Sequence, residues 1–137
     1  MNYHRIRQLL AAKIFRIFPN YLTKYDLIEQ GQIVVGKLSV HCIGIEFGWI
    51  EIIKINTSSG VAEVGHFGVD TSMLLLGIGK AMFKAFFEQL IIKYGCKSVV
   101  FINFIPNSDR GLFLIKLGAI PRGRLNSKGY DNFDLLL

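Results

Sequence analysis

The spacing of apolar residues changes period several times along the chain, and each change marks an element. Between residues 4 and 18, Ile6, Leu9, Leu10, Lys13, Ile14, Ile17 and Phe18 recur every three or four positions as a mostly apolar stripe. That is the signature of one helix face, and Pro19-Asn20 stops it. Gln32 to Ile45, entered through Glu29-Gln30-Gly31, is rich in Ile and Val and reads as a strand. Trp49 to Ile55 alternates and reads as another. Asn56 to Gly60 has turn chemistry. Val61 to Val69 is then a third strand, antiparallel to its predecessor because the link is short. Helical spacing returns from Leu76 to Tyr94, where Ile78, Ala81, Met82, Ala85, Phe86, Leu90 and Ile91 are apolar and Lys80, Lys84 and Glu88 trace a polar edge. Gly95 ends this helix. Ser98 to Ile105 is nearly all apolar, as in a central strand covered on both faces. Asn107 to Leu117 is a short helix after Pro106, closed by Gly118. The tail, Ala119 to Leu137, has room for a hairpin around Asn126 to Gly129.

This order predicts an α/β (α+β) fold: a central mixed, mostly antiparallel sheet flanked by helices. The strand–helix–strand from Val61 to Ile105 implies one parallel pair joined by a right-handed crossover. With no repeat or composition break, residues 1–137 read as a single domain.

The 137 residues are 51% hydrophobic and 19% charged, which argues for a buried core and against disorder. The net charge of +6 includes Arg5, Arg7, Lys13, Arg16 and Lys24 near the start. A basic balance favours anionic partners: a nucleotide cofactor, RNA, an acyl carrier protein or a lipid headgroup. The stripe at 4–18 suits packing on a sheet, with a membrane surface as the alternative. Cys42 and Cys96 form neither a disulfide framework nor a metal-ligand spacing, so a reduced, cytoplasmic setting and no metal are expected. No secretory leader pattern stands at the start, and no apolar run is long enough to span a bilayer.

The most informative local feature is the run from Val69 to Ala81. It leaves a strand, passes Gly77 and Gly79, and enters the long helix. A helix start carries unpaired amides and the positive end of the dipole, and glycines clear side chains from a phosphate's approach. Leu75, Leu76, Gly77, Ile78, Gly79, Lys80 and Ala81 are therefore candidate diphosphate ligands through their backbone, with Lys80 adding charge. The spacing is neither that of a nucleotide triphosphate loop nor a dinucleotide fingerprint, and tight helix–sheet packing explains two glycines equally well.

Several blocks in order resemble the GCN5-related N-acetyltransferase (GNAT) superfamily. Leu74-Leu75-Leu76-Gly77-Ile78-Gly79 is similar to its Q/R-x-x-G-x-G/A motif, with both glycines matched and the leading polar residue replaced. Gly31-Gln32-Ile33-Val34-Val35-Gly36 is similar to its G-x-(I/V)-V-G strand. Asn107 to Ala119 resembles N-x-x-A-x-x-L/F-Y-x-K-x-G-F, with Asn107, Phe113, Lys116 and Gly118 matched, Arg110 in place of Ala, Leu114 in place of Tyr and Ala119 in place of Phe. The resemblance implies acetyl-CoA or another acyl-CoA thioester as donor and a primary amine as acceptor, by direct attack in a ternary complex. It also implies that the strand at Phe67, Gly68 and Val69 splays from the one at Val99 to Ile105 and offers its backbone to the pantetheine arm. Asn107 and Phe113 would line the cofactor, or else cap a helix and fill the core.

For the base, Glu63 stands eleven residues before Leu74, an offset that resembles the glutamate of histone-acetylating members. On a regular strand it shares a face with Gly65, Phe67 and Val69. His66 has a suitable ordinary pKa, but strict alternation puts it on the opposite face unless a bulge near Gly65 or Gly68 intervenes. His41 and Glu46 are further candidates on the acceptor side. Leu114 removes the usual tyrosine acid. The thiolate then leaves unassisted or with water, or Tyr130 or Tyr94 substitutes. Phe83, Phe86 and Phe87 are core, or in part a homodimer contact. A catalytically weak acyl-CoA-binding regulatory module, an acyl carrier protein as donor, and an RNA partner remain open, and the acceptor is not legible.

Overall fold

The computed structural model describes residues 23–42, 45–69 and 78–137. The expected helix at 4–18 and most of the glycine junction, including Leu75, Leu76 and Gly77, lie outside them. Seven strands form one sheet: β1 (Thr23–Gln30), β2 (Ile33–Cys42), β3 (Ile45–Asn56), β4 (Val61–Val69), β5 (Ser98–Phe104), β6 (Ile120–Pro121) and β7 (Asp131–Leu136), in the order β1-β2-β3-β4-β5-β7-β6. Helix α1 (Ile78–Tyr94) links β4 to β5, and α2 (Asp109–Leu117) follows β5. Among the described residues, only β4 and β5 run parallel, and every other neighbouring pair is antiparallel.

β4 has the bounds its sequence predicts. It is delimited by the turn at Asn56 to Gly60, where the Asn56 side-chain oxygen accepts from the amides of Ser58 and Ser59 at 3.0 and 3.1 Å. β1 is an element the apolar pattern does not reveal. It is an edge strand with mostly exposed side chains, so it needs no continuous apolar run. It joins β2 through a two-residue turn at Gly31, whose φ of 63° suits glycine.

One face of the sheet is the core. Val34, Leu38 and Val40 of β2, Ile50, Ile52 and Ile55 of β3, and Ala62, Val64 and Phe67 of β4 are buried there. Directly opposed residues share a face, and the pairs Ile50–Phe67, Ile52–Val64 and Ile55–Ala62 obey this. Helix α1 covers this inner face. Its Phe83 ring stands edge-on to Phe67 at 5.0 Å and meets Phe101 at 5.9 Å. Phe83 and Phe86 are fully buried and Phe87 packs half-buried on the same core, so α1 presents no phenylalanine face for a dimer. At its far end, the Tyr94 hydroxyl reaches Glu29 of β1 at 3.5 Å.

β5 is less uniformly covered than its apolar run suggests. Val99, Phe101 and Phe104 are buried, while Asn103 is exposed in a left-handed conformation (φ 63°) at a bulge opposite β7. The Asn132 side chain accepts from the Asn103 amide at 3.0 Å and holds the bulge. Helix α2 starts later than expected. Ser108, not Asn107, is its cap: the Ser108 hydroxyl accepts from the Gly111 amide at 3.1 Å, and Asn107 is exposed in the preceding turn. Gly118 ends α2 in the left-handed conformation, as expected. The tail forms its turn at Asn126 to Gly129, but β6 contributes only two residues to the pairing with β7.

Candidate functional site

The parallel ladder between β4 and β5 is short. Val61 to Val64 pair with Ser98 to Phe101, and pairing stops there, although β4 runs on to Val69 and β5 to Phe104. Beyond Val64 the two strands share no ladder, so the backbone of Gly65 to Val69 has no paired residues on β5. The floor of this split is aromatic. The Phe67 ring lies 5.3 Å from Phe104 and 5.8 Å from Phe113, and Phe113 is 5.7 Å from Phe83. Phe113 is thus half-buried among core rings.

α2 stands at the open end of the split. Gly111 seats it: a Cβ there would lie 2.2 Å from the Ile105 carbonyl oxygen and 2.6 Å from that of Pro106. One turn of helix so closely applied brings Arg110 across to β4, where its Nε donates to the Phe67 carbonyl at 2.8 Å. That carbonyl is one that β5 leaves unpaired.

The outer face carries the titratable candidates. Two bulges, one extra residue near Ile53 on β3 and one at Gly65 on β4, interrupt the register. The bulge at Gly65 overturns strict alternation. Phe67 moves to the inner face with Val64, and His66 joins Glu63 on the outer face, opposite Glu51 and Lys54 respectively. Glu63 is half-buried, with Lys54 Nζ 3.7 Å from its carboxylate. His66 is exposed, and the Trp49 indole N–H donates to its Nδ1 at 3.0 Å. An indole N–H can only donate, so this Nδ1 carries a lone pair, and the neutral ring then holds its proton on Nε2. Such a histidine presents a donor outward rather than a base.

Gly68 lies directly opposite Trp49, and the indole covers it. An added Cβ would fall 2.4 Å from Trp49 Cη2, so the close approach that Gly68 permits is by this ring. Further along the outer face, the Ser39 hydroxyl and His41 Nε2 are 2.8 Å apart, and Glu46 pairs with Lys37 at 2.8 Å. Val69 opposes Gly48 on β3.

The remaining candidates divide. Gly79 and Ala81 are half-buried and Lys80 is exposed in the first turns of α1; Ile78 begins that helix. Leu114 is fully buried, so the position of the missing tyrosine faces the core. Tyr94 does not replace it, because its hydroxyl is at β1, across the sheet from the split. Tyr130 sits half-buried after the Asn126 turn, where its amide donates to the Asn126 side chain at 3.0 Å. The Cys96 thiol is buried, which pushes its pKa up and keeps it protonated. Among the described residues no group of three or more His, Cys, Asp or Glu is arranged to hold a metal, and no helix is long and apolar enough to cross a membrane.

No protein-family model and no curated protein matches the chain. Solved structures do. A mutant of the spermidine N-acetyltransferase SpeG from Vibrio cholerae superposes with a TM-score of 0.63 at 11% identity, over 90% of this chain and 70% of the other. A candidate acyl-CoA N-acyltransferase from Klebsiella pneumoniae superposes with a TM-score of 0.65 at 11% identity, over 100% of this chain and 92% of the other. The chain has a GNAT-like fold. Within the GNAT-like sheet, the split is where the only parallel pair parts, and Glu63, His66 and Arg110 all belong to elements that border it.

Trp49 and Arg110 are the two residues of the site that sequence reasoning passed over. Counting outward from the closing pair Asn56–Val61 sets Trp49 against Gly68, since the two bulges cancel. A lone tryptophan facing a glycine was the available signal. For Arg110, the signal was a long cation where the resembling motif has alanine.

Proposed function

We propose that this protein transfers an acyl group from an acyl-coenzyme A thioester, acetyl-CoA being the simplest, to an amine. The observation that carries the reading is the split between β4 and β5 on a GNAT-like fold. There, Gly65 to Val69 run on beyond the end of the ladder, and the Phe67 carbonyl has no partner on β5 and is held instead by Arg110. An amide-bearing arm can complete such an edge as a further strand would. Phe67, Gly68 and Val69 would hold the arm. The start of α1, through Gly79, Lys80 and Ala81, would face the diphosphate.

The thioester supplies an activated carbonyl; the chain must handle protons and developing charge. Glu63 is the base that takes a proton from the acceptor's ammonium, directly or through water, so that the neutral amine attacks. His66, held by Trp49 with its proton on Nε2, suits a donor to the carbonyl oxygen as charge builds there. This reassigns His66 from alternative base to donor. With Leu114 buried in place of a hydroxyl, the thiolate leaves with water or unassisted. The acceptor's class follows only in part: an amine, with polyamine the first to test, since SpeG is a spermidine N-acetyltransferase.

Arg110 and Leu114 favour a second reading, an acyl-CoA-binding module without turnover. One experiment separates them: thiol release from acetyl-CoA, followed with and without a panel of polyamines, amino sugars and lysine peptides. Amine-dependent release supports transfer. Binding of acetyl-CoA without amine-dependent release supports the module, and neither binding nor release removes both.

A further inference from the structure

We infer that Arg110 is an internal plug of the cofactor cleft: its guanidinium takes the β4 acceptor that an incoming pantetheine amide would use, so the donor must displace it to bind. The inference rests on the acyl-CoA reading above. It goes beyond it by assigning donor affinity to a residue outside the catalytic pair.

The geometry is specific. Arg110 Nε donates to the Phe67 carbonyl at 2.8 Å, three residues past the last β4–β5 pair. The side chain reaches that point from the first turn of α2, whose seat is fixed by Gly111 against Ile105 and Pro106 and by the Ser108 cap. The helix therefore does not need to move for the plug to open; rotation about the arginine's own side-chain bonds suffices. Among the described residues no carboxylate pairs with Arg110, and the Phe67 carbonyl is its recorded side-chain partner. In the resembling motif this position is alanine, which cannot reach across. A side chain that satisfies a sheet edge from within imitates the ligand's hydrogen bond and lowers apparent affinity by the fraction of molecules that are plugged.

A hydrogen bond to a charged donor, partly open to water, is worth about a tenfold factor. Titration calorimetry with acetyl-CoA on wild type, Arg110→Ala and Arg110→Gln tests the inference. Arg110→Ala should bind about tenfold more tightly than wild type, and Arg110→Gln, which keeps a neutral donor, should fall between. In parallel, nitrogen-15 spectra of the free wild-type protein should show a slowly exchanging Arg110 Nε–H that shifts when acetyl-CoA is added. If wild type binds and Arg110→Ala binds equally or more weakly, the plug is wrong and the acyl-CoA reading stands. If none of the three proteins binds, the acyl-CoA reading fails. An Nε–H that exchanges as fast as in a free arginine refutes the plug whatever binds.

Discussion

Replacing Gly68 with alanine tests how the outer face is built. A methyl group at this position would lie 2.4 Å from Cη2, 2.5 Å from Cζ2 and 3.1 Å from Cζ3 of Trp49. Carbon atoms rest about 3.5–4.0 Å apart, so the ring must swing by more than about 1 Å. It cannot do so while its N–H stays 3.0 Å from His66 Nδ1. Overpacking of this kind costs about 1–3 kcal/mol, and loss of a half-exposed hydrogen bond adds about 0.5–1 kcal/mol. Gly68→Ala should therefore destabilise the protein by about 1.5–4 kcal/mol. Once Trp49 is removed, the same change should cost nothing, or stabilise by about 0.5 kcal/mol, because alanine loses less backbone freedom than glycine. Urea unfolding of wild type, Gly68→Ala, Trp49→Ala and the double variant gives the coupling, expected above about 1.5 kcal/mol. Trp49 is the sole tryptophan, so native fluorescence reports the ring's displacement directly. A Gly68→Ala cost that is the same in both backgrounds would refute the argument.

Three other outcomes are expected. Glu63→Gln should lower amine-dependent turnover at least about a hundredfold while acetyl-CoA affinity measured by calorimetry stays within a factor of two or so; unchanged turnover removes Glu63 as the base. Gly111→Ala forces a methyl group onto two backbone carbonyls and should cost about 3 kcal/mol or more in urea unfolding, far above the few tenths of a surface change. Arg122 donates to both Asp134 carboxylate oxygens at 2.8 Å and holds that carboxyl below its ordinary value of 3.8. A lowered folded pKa means that the stabilisation is present above the unfolded value and is lost as pH falls below it. Because both side chains are largely exposed, Asp134→Asn should cost no more than about 1 kcal/mol at pH 7 and less as the pH is lowered through the carboxyl's folded value, read from unfolding curves at a series of pH values.

The sheet was legible where its elements carry strong punctuation. β4 has both bounds as read, because Asn56 to Gly60 is a side-chain-capped turn that fixes where the strand begins. β1 was not legible: an edge strand pairs on one side only, so Lys24, Asp26, Glu29 and Gln30 are tolerated and the apolar pattern breaks. The helix cap shifted by one residue because Asn107 and Ser108 are both capping types and only backbone geometry chooses between them. At the site, the residue types were visible but their facing was not. A single extra residue at Gly65, one of the two bulge positions the glycines suggested, moves Phe67 into the core and His66 beside Glu63, whereas strict period-two alternation places them otherwise. The tautomer of His66 depends on Trp49, seventeen residues away in sequence, and so only register reveals it.

On the proposed function, the gap between β4 and β5 receives an acyl-coenzyme A. Amide hydrogen exchange with and without saturating coenzyme A tests it at the residues concerned. The account predicts new protection at Gly65 to Val69 and at the start of α1, with little change in β1, β2 or β7. Exchange that is identical in both states, or protection confined to another part of the sheet, would contradict it.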